Sequence, residues 1–425
     1  MAVRMDTAGL NPSPRVASPT GTCCVARQPI FDQARRTIGY ELLFRSGFDN
    51  VCSTTDGNMA TGCTLDTSLL YGIDVMCDGL PAWVNCTRET LTKGYLSLMP
   101  SKLTVAEVLE TIDADQEVLA ACKALKQAGC MIALDDFVPS PANAPLTRLA
   151  DLIKVDFRIT SPQICGELAK RYTRMGITML AEKVETAQEF ELASSLGYSM
   201  FQGYFFCKPV VIAKAAPSAN KLSLLRLLQM LQQPELDYFE VERVVKGDPQ
   251  LCYRLLRLVN SAALGMKVRI SSIQHALALL GEAETRKWIS LVAIVSAAQG
   301  KPDELVKAAL IRAKFCEMEA RKLQWRETDL FLLGLLSLMD AILDMPMVGV
   351  LANIPVAPEI TAALLGESNK FRKVLDLVQA YDCGEWISSN KLSQELKLDV
   401  KQLPTDYLQA VQWAAAVITS DQAKR

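Results

Sequence analysis

Up to about residue 206, two kinds of hydrophobic spacing alternate along the chain. Eight short runs rich in β-branched and aromatic residues read as strands: "CVARQPIFD", "GYELLFR", "PAWVNC", "LTVAEVLE", "MIALDDF", "LIKVDF", "ITMLAEKVE" and "MFQGYFF". Between them, segments such as "QEVLAACKALKQAGC" and "QEFELASSLGY" space their apolar residues as a helix does and end in glycine, as a helix stop requires. Eight strands with helical connections predict an α/β fold, a (β/α)8 TIM-like barrel, in about 195 residues, near the small end for that architecture.

The pattern changes after "CKPVVIAKAAPSANK", residues 207–221, and from Leu222 onward it is helical almost throughout. In "DPQLCYRLLRLVNSAAL", Asp248 is a candidate N-cap, Pro249 takes the first helical position, and Leu251, Leu255 and Leu258 share one face. The expected organisation is a disordered tail over 1–21, a barrel over 22–210, a linker over 211–221 and an all-α domain over 222–415. The tail is rich in Ala, Pro, Ser and Thr and lacks the apolar h-region of a signal peptide. The greasiest stretch, "LFLLGLLSLMDAIL" at 330–343, is interrupted by Asp340 and followed by Asp344, too short for a membrane span, so a buried helix and no membrane insertion are expected.

Charge narrows the partners. Lys plus Arg number 45 against 47 Asp plus Glu, so no broad basic field exists to steer a nucleic acid polymer. Thirteen cysteines include no C-x-x-C pair, and the adjacent Cys23 and Cys24 are poorly placed to bridge each other, which reads as reduced thiols in a cytoplasm.

Candidate chemistry gathers at the carboxyl ends of the predicted strands, where barrel enzymes work. Glu41 and Arg45 lie in "ELLFR", Asn85 in "WVNC", Glu107 and Glu110 in "AEVLE", Asp135 and Asp136 in "LDDF", Lys154 in "IKVD", Glu182 and Glu185 in "AEKVE", and Gln202 in "FQGY". Singly, an Asp pair is a turn or an N-cap, and a strand-end Glu or Lys is a surface charge. Together they make one set of oxygen ligands. Oxygen ligation without His suits Mg2+ or Mn2+, with room for two ions that could clamp an in-line phosphoryl displacement. Metal charge between the carboxylates would make the Asp135–Asp136 pair tolerable.

"YELLFR", "VNCT", "EVLE", "ALDDF", "IKVD", "LAEKVET" and "FQGYFFCKP" resemble, in order and form, the EAL domain, a barrel phosphodiesterase that opens cyclic di-GMP to the linear dinucleotide pGpG. The resemblance spans roughly 25–210 and implies that Glu41, Asn85, Glu107, Asp135, Asp136 and Glu182 are metal ligands. It implies a catalytic set of Glu182, Lys154 and Glu41, with Lys154 orienting the attacking water. Arg45, Gln202 and Gln28 would contact the substrate, and Glu110 and Glu185 would support loops. Two departures stand out. The family's Phe-Gly-Thr-Gly loop is Phe137-Val138-Pro139-Ser140 here, and Lys183 replaces the glycine after Glu182.

The helical half is similar to an HDOD domain through "GDPQLCYRLLRLVNSAALG", "ISSIQHALALLG" and "FLLGLLSLMDAIL". Related HD phosphohydrolases need His-Asp where this chain has Ser337-Leu338, and His275, the only histidine, reads as a packed residue, so no His-based metal site is expected. A noncatalytic module that engages another signalling protein is implied. Two functions fit the whole chain: a metal-dependent cyclic di-GMP phosphodiesterase adjusted through its helical half, or a receptor or scaffold that signals without hydrolysis. An enolase-type lyase would account for the carboxylates but not for "FQGYFFCKP".

Overall fold

A computed structural model of the protein describes residues 23–46, 76–204, 236–239, 241–242, 281–287, 289–291, 301–352 and 356–422. The expected tail and linker, the helix opening at Asp248 and Pro249 with its Leu251, Leu255 and Leu258 face, and His275 lie outside these residues.

The eight strands β1 (Cys23–Asp32), β2 (Thr37–Ser46), β3 (Ala82–Cys86), β4 (Thr104–Val108), β5 (Met131–Leu134), β6 (Leu152–Asp156), β7 (Thr178–Glu182) and β8 (Met200–Gln202) close into a barrel in chain order. From β2 to β8 neighbouring strands are parallel, whereas β1 runs antiparallel to both β2 and β8. The barrel is thus mixed, not eight repeats of one βα unit. A hairpin explains the reversal: residues 33–36 turn the chain, with Arg35 at φ 58° and the Arg36 amide donating to the Asp32 carboxylate at 2.9 Å. A turn that short can join only antiparallel strands.

Helices α1 (Arg88–Thr92), α2 (Gln116–Ala128), α3 (Ala144–Thr147), α4 (Pro162–Thr173) and α5 (Ala187–Leu196) lie between the parallel strands. Their ends follow local chemistry. Asp115 caps α2 by accepting from the Val118 amide, and Thr186 with Glu189 forms a capping box on α5. Gly129 and Gly197 end these helices at φ 95° and 101°, the left-handed region that the two glycine stops predict. Val118, Cys122 and Leu125 of α2 and Cys165, Leu168 and Tyr172 of α4 are buried in the main apolar cluster, which continues into the helical half.

That half contains α6 (Asp303–Leu323), α7 (Glu327–Leu336), α8 (Met339–Leu343), α9 (Met347–Leu351), α10 (Pro358–Leu364), α11 (Lys370–Asp382), α12 (Trp386–Leu396) and α13 (Leu403–Gln422). Helix α6 is its axis, packing on α7, α11 and α13. The stretch 330–343 is buried as expected but is not one helix: it breaks between α7 and α8. The Ser337 hydroxyl donates to the Gly334 carbonyl at 2.7 Å, competing for the acceptor that the Leu338 amide would use, and Leu338 leaves helical geometry at φ −122°. No helix among the described residues is long and apolar enough to cross a membrane.

Candidate metal centre at the carboxyl ends of the strands

Inside the barrel, Ile30, Trp83, Val105, Ala133, Leu152 and Leu180 form a separate apolar layer, with Met200 packed against it. Gly39 belongs to the same level, since a Cβ there would fall 2.0 Å from the Trp83 ring and could not be accommodated. Side chains alternate across a strand, so the next inward-facing residue lies two positions on. Those positions are Glu41 after Gly39, Asn85 after Trp83, Glu107 after Val105, Asp135 after Ala133, Lys154 after Leu152, Glu182 after Leu180 and Gln202 after Met200. In the antiparallel β1 the direction reverses, and Gln28 precedes Ile30 by the same two residues. All eight strands thus contribute one polar side chain to a ring stacked on an apolar floor.

Lys154 is the hub of the ring and is only 1 % exposed. Its Nζ lies 3.1 Å from Glu41 Oε2, 2.8 Å from Glu107 Oε1, 2.9 Å from Asp135 Oδ1 and 2.8 Å from Glu182 Oε1. Both oxygens of Glu41 are also held by amides: Asn85 Nδ2 donates to Oε1 at 2.8 Å and Gln202 Nε2 to Oε2 at 2.7 Å. Gln202 donates further to Gln28 Oε1 at 2.8 Å. Its strand end is fixed by Gly203, at φ 142°, where a Cβ would meet the Val184 carbonyl at 2.1 Å. The glycine of "FQGY" therefore permits the close approach in which the Val184 amide donates to Gln202.

Electrostatics divides the ring. Burial opposes ionisation of Glu41, but Lys154 and the Gln202, Lys154 and Asn85 hydrogen bonds outweigh it and hold Glu41 below its ordinary range. Elsewhere burial prevails. It drives Glu107 well above the usual carboxylate range, with Glu41 adding repulsion, and raises Asp135 against the pull of Lys154. Glu182 is pushed up to about 8, by burial first and then by Asp135 and Glu41 against the opposing Lys154. Burial alone would lower Lys154, yet the surrounding carboxylates hold its ammonium well above normal. One ammonium is thus shared among three buried carboxyl groups and the half-buried Asp135, an arrangement short of positive charge.

The donor set fits divalent metal. Glu107 Oε2, Asp136 Oδ1 and Gln202 Oε1 are buried and accept no hydrogen bond among the described residues. Carboxylate oxygens of Glu110, Asp135 and Asp136 lie within 4.8 Å of one another, a spacing that one cation could bridge. Every candidate donor is an oxygen, the preference of Mg2+ and Mn2+.

The remaining predicted residues lie off the ring. Asp136 adopts φ 39° beyond β5, and Glu110 is exposed in the turn after β4. Glu185 follows β7; its carboxylate meets Arg158 and its amide donates to Glu189 at 2.6 Å. Arg45 pairs with Cys24 in β2, four residues past Glu41. The rewritten loop is fastened by Asn143, whose Nδ2 donates to the Val138 carbonyl at 2.8 Å and whose Oδ1 accepts from the Ser140 amide at 3.0 Å. Sequence reasoning passed over Asp156, the buried last residue of β6, in register with Glu182. Lys183, at φ 55°, donates to Asp156 Oδ2 at 2.5 Å and stands 3.7 Å from Asp136 Oδ1. The i+2 spacing from Lys154 would have flagged Asp156.

Comparison with known proteins adds independent findings. The model of the EAL domain matches residues 92–209 and that of the HDOD domain matches 218–344. The uncharacterized protein YuxH of Bacillus subtilis is 32 % identical over 399 residues, covering 92 % of this chain and 97 % of its own. The cyclic di-GMP phosphodiesterase CdgJ of Vibrio cholerae is 32 % identical over 399 residues, covering 92 % of each chain. Among solved structures, the manganese and cy-diGMP complex of Klebsiella pneumoniae BlrP1 is 25 % identical over 46 % of this chain and 57 % of that one, with a TM-score of 0.38.

Proposed function

The chain belongs to the EAL–HDOD family, an EAL domain followed by an HDOD domain, and we propose that it acts in cyclic di-GMP signalling by hydrolysing cyclic di-GMP to pGpG in the barrel. The observation that carries the reading is the ring itself: oxygen donors from successive strands converge on one buried lysine, with Glu107 Oε2 left without a hydrogen-bond partner among the described residues.

In this reading Glu41, Asn85, Glu107, Asp135, Asp136 and Glu182 would hold two divalent ions, Mg2+ or Mn2+. The chemistry such ions supply when bound is activation of water and neutralisation of the phosphodiester oxygens. Asn85 and Gln202 donate to different oxygens of Glu41 and so fix the plane of its carboxylate. Gln28 holds Gln202 in turn. Lys154, kept charged by its neighbours, orients the attacking water, and Arg45 offers a planar fork to a phosphate. Water oxygen bonds to phosphorus, the bond to the ribose 3′ oxygen breaks, and that oxygen takes up a proton, giving the linear product. Glu110 and Glu185 brace the loops beside the Asp pair.

We assign the barrel to 22–210, the linker to 211–221 and the HDOD half to 222–415, after an N-terminal segment over 1–21. The HDOD half is a noncatalytic regulatory module for another signalling protein. A cytoplasmic location is supported by Cys86, Cys122, Cys130, Cys165, Cys316 and Cys383, free thiols among the described residues.

A second reading, a receptor or scaffold that does not hydrolyse the nucleotide, is favoured by one observation: Lys183 sets a cation beside Asp136. Incubating purified protein and cyclic di-GMP with Mg2+ or Mn2+, and following pGpG by chromatography with Glu41→Ala as control, separates the two. Product from the wild type that vanishes in the variant supports hydrolysis. No product at high protein concentration overturns hydrolysis and leaves the receptor.

A further inference from the structure

The outer side of β1 and β2 is covered from the helical half, with α11 and α13 packed on β1. At this junction five side chains close one knot. Tyr40, fully buried on β2, donates its hydroxyl toward Glu304 Oε2 at 2.7 Å and Asp78 Oδ2 at 2.9 Å. Lys307 Nζ donates to the same hydroxyl at 2.9 Å and to Asp78 Oδ2 at 2.7 Å. Arg27 lies across the Tyr40 ring, 4.4 Å from its centroid, and pairs with Asp78 at 3.0 Å. Glu304 and Lys307 come from α6, whereas Arg27, Tyr40 and Asp78 belong to the barrel side. Tyr40 immediately precedes Glu41, and adjacent strand residues face opposite sides. The same short piece of β2 is therefore gripped from outside by the helical half and presents Glu41 inside.

We infer that the knot is a positioning device: Tyr40, Glu304 and Lys307 set the placement of Glu41, so the helical half acts on the metal centre through β2. This rests on reading Glu41 as a metal ligand. Groups that orient a ligand without touching the metal commonly govern affinity by roughly 10- to 100-fold. Here the lever is a backbone shift at Glu41, relayed from the Tyr40 hydroxyl. The knot holds two cations and two carboxylates, so a change in α6 disturbs its balance at once.

The test uses full-length Tyr40→Phe, which keeps the ring and removes only the shared hydroxyl, and Lys307→Met, which breaks the charge balance. Mn2+ affinity by calorimetry, pGpG formation and amide exchange over residues 37–46 are compared with wild type and Glu41→Ala. The expected result for Tyr40→Phe is an unchanged far-ultraviolet spectrum, about tenfold weaker Mn2+ binding, turnover restored by raising Mn2+, and faster exchange in β2. Restoration by excess metal marks a misplaced ligand; a merely loosened fold would not respond to metal in this way. A folded Tyr40→Phe protein with Mn2+ affinity within about twofold of wild type overturns the inference. Should Lys307→Met not fold, Tyr40→Phe alone decides. Should wild type bind no Mn2+, the metal-ligand reading falls, and exchange decides the inference: faster in β2 of Tyr40→Phe upholds the grip, unchanged overturns it.

Discussion

Two clusters of buried charge lie on opposite faces of one strand, and they are built on different arithmetic. Inside the barrel, Lys154 alone faces Glu41, Glu107, Asp135 and Glu182. Outside it, Arg27 and Lys307 face Asp78 and Glu304 with the Tyr40 hydroxyl between them. The carboxyl groups respond accordingly. Burial pushes Glu107 up, whereas for Asp78 the effect of burial is outweighed by Arg27 and Lys307, which hold it below its ordinary range. A balanced knot leaves no net charge to be met from outside; an unbalanced ring is a demand for cations that the chain does not supply.

The sharpest way to break this comparison is to remove one cation from each cluster. Lys154→Met and Lys307→Met each strand buried carboxylates and are expected to cost on the order of 3–5 kcal/mol in urea unfolding with chelator present. Adding Mn2+ should narrow the gap to wild type for Lys154→Met, whose ring lacks its own cation, and not for Lys307→Met, which gains no more from the metal than wild type does. Equal recovery, or recovery in neither, would mean that the two clusters do not differ as argued.

Metal alone gives a smaller effect of the same kind. At a hundredfold excess over its dissociation constant, Mn2+ should stabilise the wild type by about 2.7 kcal/mol, and Glu41→Ala should lose most of that gain. Thermal or urea unfolding with Mn2+ against chelator measures it.

A third cluster shows how far imbalance must go before it signals a binding site. Lys322 bonds the buried Glu319 at 3.2 Å and also pairs with Asp406, so the surplus is a single negative charge. Burial, against the pull of Lys322, pushes Glu319 up to about 7 from 4.5, and a held proton absorbs the surplus. The sign follows from linkage. The folded state keeps this proton while the unfolded chain releases it, so stability falls as pH rises from 4.5 to about 7 and is level above. Glu319→Gln should remove a pH-dependent loss on the order of 3 kcal/mol in that window. An unchanged pH profile would show that Glu319 ionises normally.

The ring was legible in the sequence because period-two alternation is local: once Val105, Ala133 and Leu152 are read as floor, Glu107, Asp135 and Lys154 follow two residues later. The strand count was legible for the same reason. The reversed direction of β1 was not, since a hairpin over 33–36 carries no Asn-Gly or Asp-Gly signal and direction depends on what lies beyond it. Tyr40 was hidden differently. Its partner Glu304 is 264 residues away, a distance at which periodicity says nothing and only packing of two halves decides. Asp156 was within reach of the same alternation, two residues past Lys154, but its pairing with Lys183 was not, since that arises from a backbone twist at φ 55° rather than from any pattern of residue types.

Lys183 supplies the smallest expected effect and the finest test of the charge argument. Its ammonium stands at the edge of the site, 3.7 Å from Asp136 and half-exposed to water. Solvent screening limits such a contact to about 0.2–1 kcal/mol. Lys183→Gly removes the cation and at the same time suits the left-handed backbone that Lys183 is forced to adopt. Relief of that strain and the greater freedom of glycine in the unfolded chain oppose each other, while loss of the pair with the buried Asp156 costs stability, so the variant should be less stable by on the order of 1 kcal/mol. Metal affinity should move in one direction only: with the ring more negative, half-saturation by Mn2+ should fall roughly two- to fivefold. Calorimetric titration of Lys183→Gly beside wild type measures this, and a weaker affinity in the variant would mean that Lys183 supports the metal centre instead of competing with it.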